Sequence, residues 1–220
     1  MNFYDMHVSA EDVKKTIEIA EKLGWSGLVF IRKWNGEKKP ANFANEAKKL
    51  DCSMGLIVDA KKANDMQKTV KSTRKQTELI IVKAGDLEFN RVVLETPEVD
   101  ILSGFNIQLN HVMCELAKKN NVAIEFNFHD LISSYKNTRE KIFNNMIENA
   151  KFIRKYKTPF VITSGAMDPW DMRSPQDLLS FGRLLGFQDP QIKKAMSSSV
   201  LTENRKRLSD KWIAPGVELE

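Results

Sequence analysis

Histidine and cysteine are scarce in this 220-residue chain, at three and two copies. Cys52 and Cys114 stand in no metal-ligand spacing, so no zinc module is built on them. Cys52 opens a strand-like run and Cys114 lies inside a helical pattern. Both read as buried free thiols of a reducing compartment rather than a disulfide. The chain has no P-loop, no Gly-x-Ser-x-Gly elbow and no Rossmann glycine pattern, and no nucleophile–base pair stands out. No apolar run approaches the roughly 20 residues of a membrane span. The opening MNFYDMHVS has an acid inside a strand-like pattern, unlike a signal peptide. The expected location is the cytoplasm.

What is present is an ordinary globular composition, 42% hydrophobic and 29% charged, with a net charge of +5. That mild basic excess is compatible with nucleic acid without requiring it. Strand and helix signals alternate throughout. Strands are expected at Asn2 to Val8, Gly27 to Ile31, Met54 to Val58, Leu79 to Lys83, Val99 to Leu102, Val122 to Phe128 and Pro159 to Thr163. Helices are expected from Ser9 (with Asp12 as a capping partner) to Leu23, and over Asn42 to Leu50, Lys61 to Lys75, Asp86 to Glu95 and Asn110 to Lys119. A further helix is expected from Asn137, capped with Glu140, to Tyr156. Seven strands, each followed by a helix, predict one α/β domain over 1–220. It is an irregular TIM-like (β/α) barrel of about seven parallel strands over 1–187, followed by C-terminal helices and a strap-like tail over 188–220.

Pro159 to Phe187 organises the rest. Its strand ends at Ser164-Gly165-Ala166, a loop follows with Asp168, Asp171 and Arg173, and the next helix has Ser174 to cap it, Pro175 at its first position and Asp177 in its first turn. In such folds function collects in the loops at the carboxyl ends of strands. The polar residues expected there are Asp5, His7, Arg32, Asp59, Lys83, Ser103, Glu125, His129, Ser164 and Asp168. Asp5-x-His7 on a strand would point both side chains to one side, where they could share a metal with Glu125, His129 and Asp168. The alternative is that Asp5 accepts hydrogen bonds from the backbone or Arg173 while His7 is a satisfied near-core residue.

Basic surfaces are the competing site. Lys61 to Lys75 holds six basic residues and one acid. Its apolar stripe is Ala63, Met66, Val70 and Thr73, and Lys61, Lys68, Lys71 and Lys75 fall on another face. With Arg32, Lys33, Lys38 and Lys39 from a basic loop turning at Asn35-Gly36, they could follow a phosphate backbone, and Trp34 could stack on a base. A solvated lysine face is the bland alternative. Arg173 could pair with Asp168, Asp171 or a phosphate, the intramolecular pair being the favoured choice.

The stretch KYKTPFVITSGAMDPWDMRSP, Lys155 to Pro175, resembles the signature of ribonuclease P protein component 3, the thirty-kilodalton-class subunit of archaea and eukaryotes. Asp100 to Asn127, Ala84-Gly85-Asp86 with Asn90-Arg91, and Tyr4-Asp5-Met6-His7 extend the resemblance to nearly the whole chain up to Gly186. It implies a barrel related to the PHP phosphoesterases and a role as a protein subunit of ribonuclease P, the RNA-based endonuclease that removes 5′ leaders from precursor tRNA. The implied partners are the ribonuclease P RNA, a small RRM-like protein subunit, the other ribonuclease P proteins and precursor tRNA, with no membrane. Mg²⁺ would serve the RNA subunit, and this chain would bind no cofactor or metal and would not be catalytic alone. PHP enzymes begin with His-x-His where this sequence has Asp5-x-His7, which fits a barrel that kept the rim and lost the ligand set. The alternatives are an independent PHP-type metal-dependent phosphoesterase, using Asp5, His7, Glu125, His129 and Asp168, and a purely structural interaction barrel.

Overall fold

The computed structural model describes residues 2–34, 49–104 and 106–209, together with the backbone of 212–214 and 217–218. Strands are β1 (Tyr4–Val8), β2 (Gly27–Lys33), β3 (Asp51–Val58), β4 (Leu79–Lys83), β5 (Ile101–Ser103), β6 (Ala123–Asn127) and β7 (Phe160–Thr163). Helices α1 (Val13–Leu23), α2 (Ala63–Thr73), α3 (Leu87–Glu95) and α4 (His111–Asn120) follow β1, β3, β4 and β5. Then come α5 (Phe128–Ile132), α6 (Lys136–Tyr156), α7 (Pro175–Leu184), α8 (Asp189–Ala195) and α9 (Ser199–Leu208). The tail, expected as a strap, adds β8 (Trp212–Ala214) and β9 (Val217–Glu218), an antiparallel pair. The expected helix at 42–50 and the turn at Asn35-Gly36 lie outside the described residues or largely so, as do Lys38 and Lys39.

β1 to β7 pair in parallel and in chain order, each with its sequence neighbour, forming a nearly closed, irregular TIM-like barrel. The seam between β1 and β7 is closed by loop and side-chain bonds: the Ser9 amide donates to the Ala166 carbonyl at 2.8 Å, and the Ser164 amide donates to the Asp5 carboxylate. Side chains alternate across the wall. Leu28, Phe30, Ile80, Val82, Ile124, Phe126 and Ile162 join the helices in a large outer core. Tyr4, Met6, Val29, Ile31, Leu79, Ile81, Ile101, Ala123 and Val161 fill the barrel's interior with Leu201 of α9, which enters from the amino-terminal end.

Helix starts show where local signals were overruled. Asp12, not Ser9, caps α1, accepting from the Lys15 amide at 3.0 Å, because the amides of Ser9 and Ala10 are held extended by Ala166. α6 begins after Tyr135 with no side-chain cap, so Asn137 and Glu140 form no capping box. Instead the Arg139 guanidinium donates to the carbonyls of Leu131 and Ser134 and ties α6 to α5, a helix the pattern did not announce. Ser174 and Asp177 do cap α7 reciprocally, with Pro175 at its first position. The α2 stripe is as read: Met66, Val70 and Thr73 are buried, while Lys61, Lys68, Lys71 and Lys75 are exposed. Arg32 and Lys33 continue β2 rather than opening a loop.

Candidate functional site

Above the apolar plug, the upper interior of the barrel is polar. Glu125 of β6 is buried, and its Oε1 lies 2.8 Å from His7 Nδ1 and accepts from the Thr163 hydroxyl at 2.6 Å. Burial opposes charge on both partners, yet each charge favours the other. The Glu125 carboxylate holds His7 above the usual imidazole range, and His7, with the Ser103 and Thr163 hydroxyls, holds Glu125 below the usual carboxylate range. This is a buried ion pair. Glu125 Oε2 is buried with no well-formed hydrogen bond among the described residues, although the Ser103 hydroxyl lies beside the carboxylate.

Asp5 does not join His7 on one side of the strand. Asp5 pairs with Leu28 and Val8 with Phe30, leaving Met6 and His7 opposite Val29 alone, so a bulge interrupts the alternation between them. Met6 and His7 face the interior, whereas the Asp5 carboxylate turns into the β1–β7 seam. There its Oδ1 accepts from the His7 and Ser164 amides, both at 3.2 Å. Asp5 is wholly buried, and desolvation pushes its carboxyl up to about 6 against those hydrogen bonds. The reading of Asp5 as a backbone acceptor and His7 as a satisfied residue is the one the geometry follows; Arg173 is not among Asp5's partners.

Over this layer opens a cavity of about 570 Å³, lined by His7, Arg32, Lys33, Asp59, Lys83, Ser103, Asn127, His129 and Asp130 among others. Asp130, on α5, was missed because α5 was missed. Burial and the nearby Glu125 charge push its carboxyl up to about 6, with His7 and Lys83 acting against them. Asn127 Oδ1 caps α5 by accepting from the His129 amide at 2.9 Å, and Gly165, at a φ of 64°, lets the chain pass where an added methyl would meet the Asn127 amide. Lys33 and Lys83 both reach Asp59, at 3.7 and 3.6 Å.

Two of the expected rim residues do something else. Asp168 is exposed and caps the 3₁₀ turn Pro169–Asp171, accepting from the Trp170 amide at 2.9 Å. The Arg173 guanidinium donates to the carbonyls of Trp170, Asp171 and Met172 rather than to Asp168 or Asp171, whose carboxylates point back to cap the other end of that turn. Arg32 is similarly engaged, donating to the carbonyls of Ser9, Ala10 and Ile31. His129 lines the cavity with its Nδ1 3.7 Å from Asp171. Among the described residues no three or more His, Cys, Asp and Glu are arranged to hold a metal ion. The five residues proposed as a PHP-type ligand set do not converge: Asp5 is taken by two amides in the seam and Asp168 by the 3₁₀ turn, while His7 is bonded through Nδ1 to Glu125.

Fold and site together define an irregular β/α barrel in which buried Glu125 and His7 bond to each other beneath the rim cavity. A sequence model of the RNase P subunit p30 family matches residues 2–209, and the chain belongs to that family. It is 33% identical to "Ribonuclease P protein component 3" of Methanococcus maripaludis over 225 residues, covering 97% of this chain and 95% of that one. Among solved structures it resembles a chain from the cryo-EM structure of archaeal ribonuclease P with mature tRNA. There the TM-score is 0.84 at 24% identity, over 97% of this chain and 96% of the other, a likeness of fold. A histidinol phosphate phosphatase of Lactococcus lactis, complexed with zinc, L-histidinol and phosphate, shares the fold more distantly. Its TM-score is 0.53 at 11% identity, over 84% of this chain and 93% of the other.

Proposed function

We propose that this chain is a non-catalytic protein subunit of ribonuclease P that supports RNA-catalysed removal of the 5′ leader from precursor tRNA. The observation that carries the reading is the match to the RNase P subunit p30 family over 2–209. The rim is consistent with it, since Asp5, His7, Glu125 and Asp168, which a phosphoesterase would offer to metal, are bonded to one another or to backbone amides. The Mg²⁺ of the reaction belongs, on this reading, to the RNA subunit. This chain's part is to hold RNA and to meet a small RRM-like subunit.

The RNA face we favour is the lysine face of α2, where Lys61, Lys68, Lys71 and Lys75 are exposed with no ion pair among the described residues. Lys33 adds to it, beside Asp59. Arg32 and Arg173 act by bracing the loops that carry the rim. Each phosphate neutralised contributes about 0.7 on a single strand and about 0.9 on a B-form duplex to the salt slope. Lys68→Gln, Lys71→Gln and Lys75→Gln together are therefore expected to lower that slope by up to about three, with unchanged thermal stability; an unchanged slope moves the RNA off this helix. The reading as a whole is tested by cleavage of precursor tRNA at limiting Mg²⁺, with the cognate RNA and the other protein subunits, the chain being omitted or added. Cleavage indifferent to the chain would overturn it. No helix among the described residues is long and apolar enough to cross a membrane.

A further inference from the structure

A second cavity, about 380 Å³, lies at the opposite end of the barrel, where β6 and β7 begin. Three lysines from three elements line it: Lys118 in the last turn of α4, Lys157 at the left-handed end of α6 and Lys194 in the last turn of α8. No aspartate or glutamate lines it, and none of the three lysines makes an ion pair among the described residues. That contrasts with the rim cavity, where Lys33 and Lys83 share Asp59. Each of the three stands at the carbonyl end of a helix, whose dipole favours a cation, and a counter-charge arriving from outside would relieve their mutual repulsion further.

The remaining walls say what kind of anion. Ser199, the first residue of the ten-residue α9, lines the cavity, so the positive end of that helix dipole lies beside it, with the Ser199 amide donating to the Ser197 hydroxyl. Thr158 also lines it, with its hydroxyl turned into the protein beside the Cys114 thiol. Phe160 supplies a half-buried ring on one wall, itself stacked on Phe187 at 4.1 Å. Lysines act as point-charge partners of phosphate, and a flat apolar wall suits a base. The volume lies at the small end of the ligand-site range, roughly 300–1,000 Å³.

We infer that this cavity at the amino-terminal end of the barrel binds the phosphate group of a nucleotide, with Lys118, Lys157 and Lys194 as its charge partners. The phosphate comes from a free nucleotide or from RNA; only the second source rests on the ribonuclease P reading.

The full-length chain is titrated with 5′-AMP, inorganic phosphate and adenosine, and with ribonuclease P RNA at several salt concentrations. The comparison is K118Q/K157N/K194Q, in which Asn tolerates the left-handed backbone at 157. All three side chains are exposed, so an unchanged melting temperature is expected. 5′-AMP should bind, phosphate should compete, adenosine should not bind, and the variant should weaken 5′-AMP at least tenfold. A fall of up to about three in the RNA salt slope identifies RNA as the source, and loss of 5′-AMP binding with an unchanged slope identifies a free nucleotide. If 5′-AMP and phosphate do not bind at millimolar concentration and the slope is also unchanged, the inference is overturned. Loss of affinity for a partner protein alone overturns it equally, in favour of an acidic protein surface. Should the triple variant melt early, the three single variants carry the same comparison, at about one unit of slope each. Cleavage assays with the chain omitted report on the ribonuclease P reading separately, so either can fail without the other.

Discussion

The two ends of this barrel are closed by opposite means. At the amino-terminal end, α9 pushes Leu201 into an apolar interior and is tied down at its edge by charge. Arg205 meets Asp51 with two 2.7 Å bonds and Glu78 with a third, and Asn204 donates to Asp100, which also holds Arg74 at 2.6 Å. The Arg205 cluster is partly exposed, and pairing there holds Asp51 below the usual carboxylate range without full desolvation, while the Arg74–Asp100 pair beside it is buried at the barrel's edge. At the carboxyl end the ion pair is inside. His7 and Glu125 have side-chain exposures of 8% and 0%. The apolar interior at one end depends on shape, with its ion pairs confined to the edge, whereas the interior at the other end holds a charge pair that depends on every partner being present. A buried pair is weak evidence for stability in itself, but removing one partner leaves the other stranded.

That contrast can be broken from either side. Glu125→Ala should have the largest effect, a loss of about 3–5 kcal/mol, because it strands His7 and removes the acceptor of the Thr163 hydroxyl. Urea unfolding near pH 6, where His7 is charged, is the measurement, and the loss should shrink at higher pH as His7 sheds its proton. Leu201→Ala should come next, with a loss of about 2–5 kcal/mol from transfer and cavity terms. Its loss should be the same at both pH values, since no titrating group touches the transfer term. If the two losses respond to pH alike, the distinction between the ends is wrong.

The barrel was legible because its signals are local and repeated. The stripe of Met66 and Val70, the Ser174–Asp177 cap and the apolar run at Phe160 each depend on a few neighbouring residues. The rim was legible as a set of residues but not as an arrangement. Strand periodicity placed Asp5 with His7, and one bulge separated them; nothing in a five-residue strand announces an extra residue opposite its partner. Asp168 and Arg173 lie in a loop whose 3₁₀ turn consumes both, a fate decided by carbonyl directions rather than residue types. Asp130 hid in α5, too short to show a period. The bonds of Arg205 to Asp51 and Glu78 join residues 154 and 127 positions apart, beyond the reach of any spacing argument.

The finest probe of the comparison is the pH response of Asp5. Burial raises its carboxyl from 3.8 to about 6, so the native state holds that proton more tightly than the unfolded chain. Its contribution to stability is complete below 3.8 and is lost as pH rises through about 6. His7 has the same sign: raised from 6.5, it contributes fully below that value and loses its contribution as pH climbs through the folded one. Glu125, lowered from 4.5, acts oppositely, contributing above 4.5 and losing that contribution as pH falls. The polar end is therefore most stable under mildly acidic conditions. Asp5→Asn keeps an oxygen for the His7 and Ser164 amides and cannot ionise. Between about pH 4 and pH 7 the wild type should lose up to roughly 3 kcal/mol relative to this variant, from a shift of about two pKa units. Paired urea midpoints at the two pH values read the difference. A gap between the two proteins that does not move with pH would mean that Asp5 stays in one protonation state throughout, and the carboxyl end would then be as indifferent to protons as the apolar end.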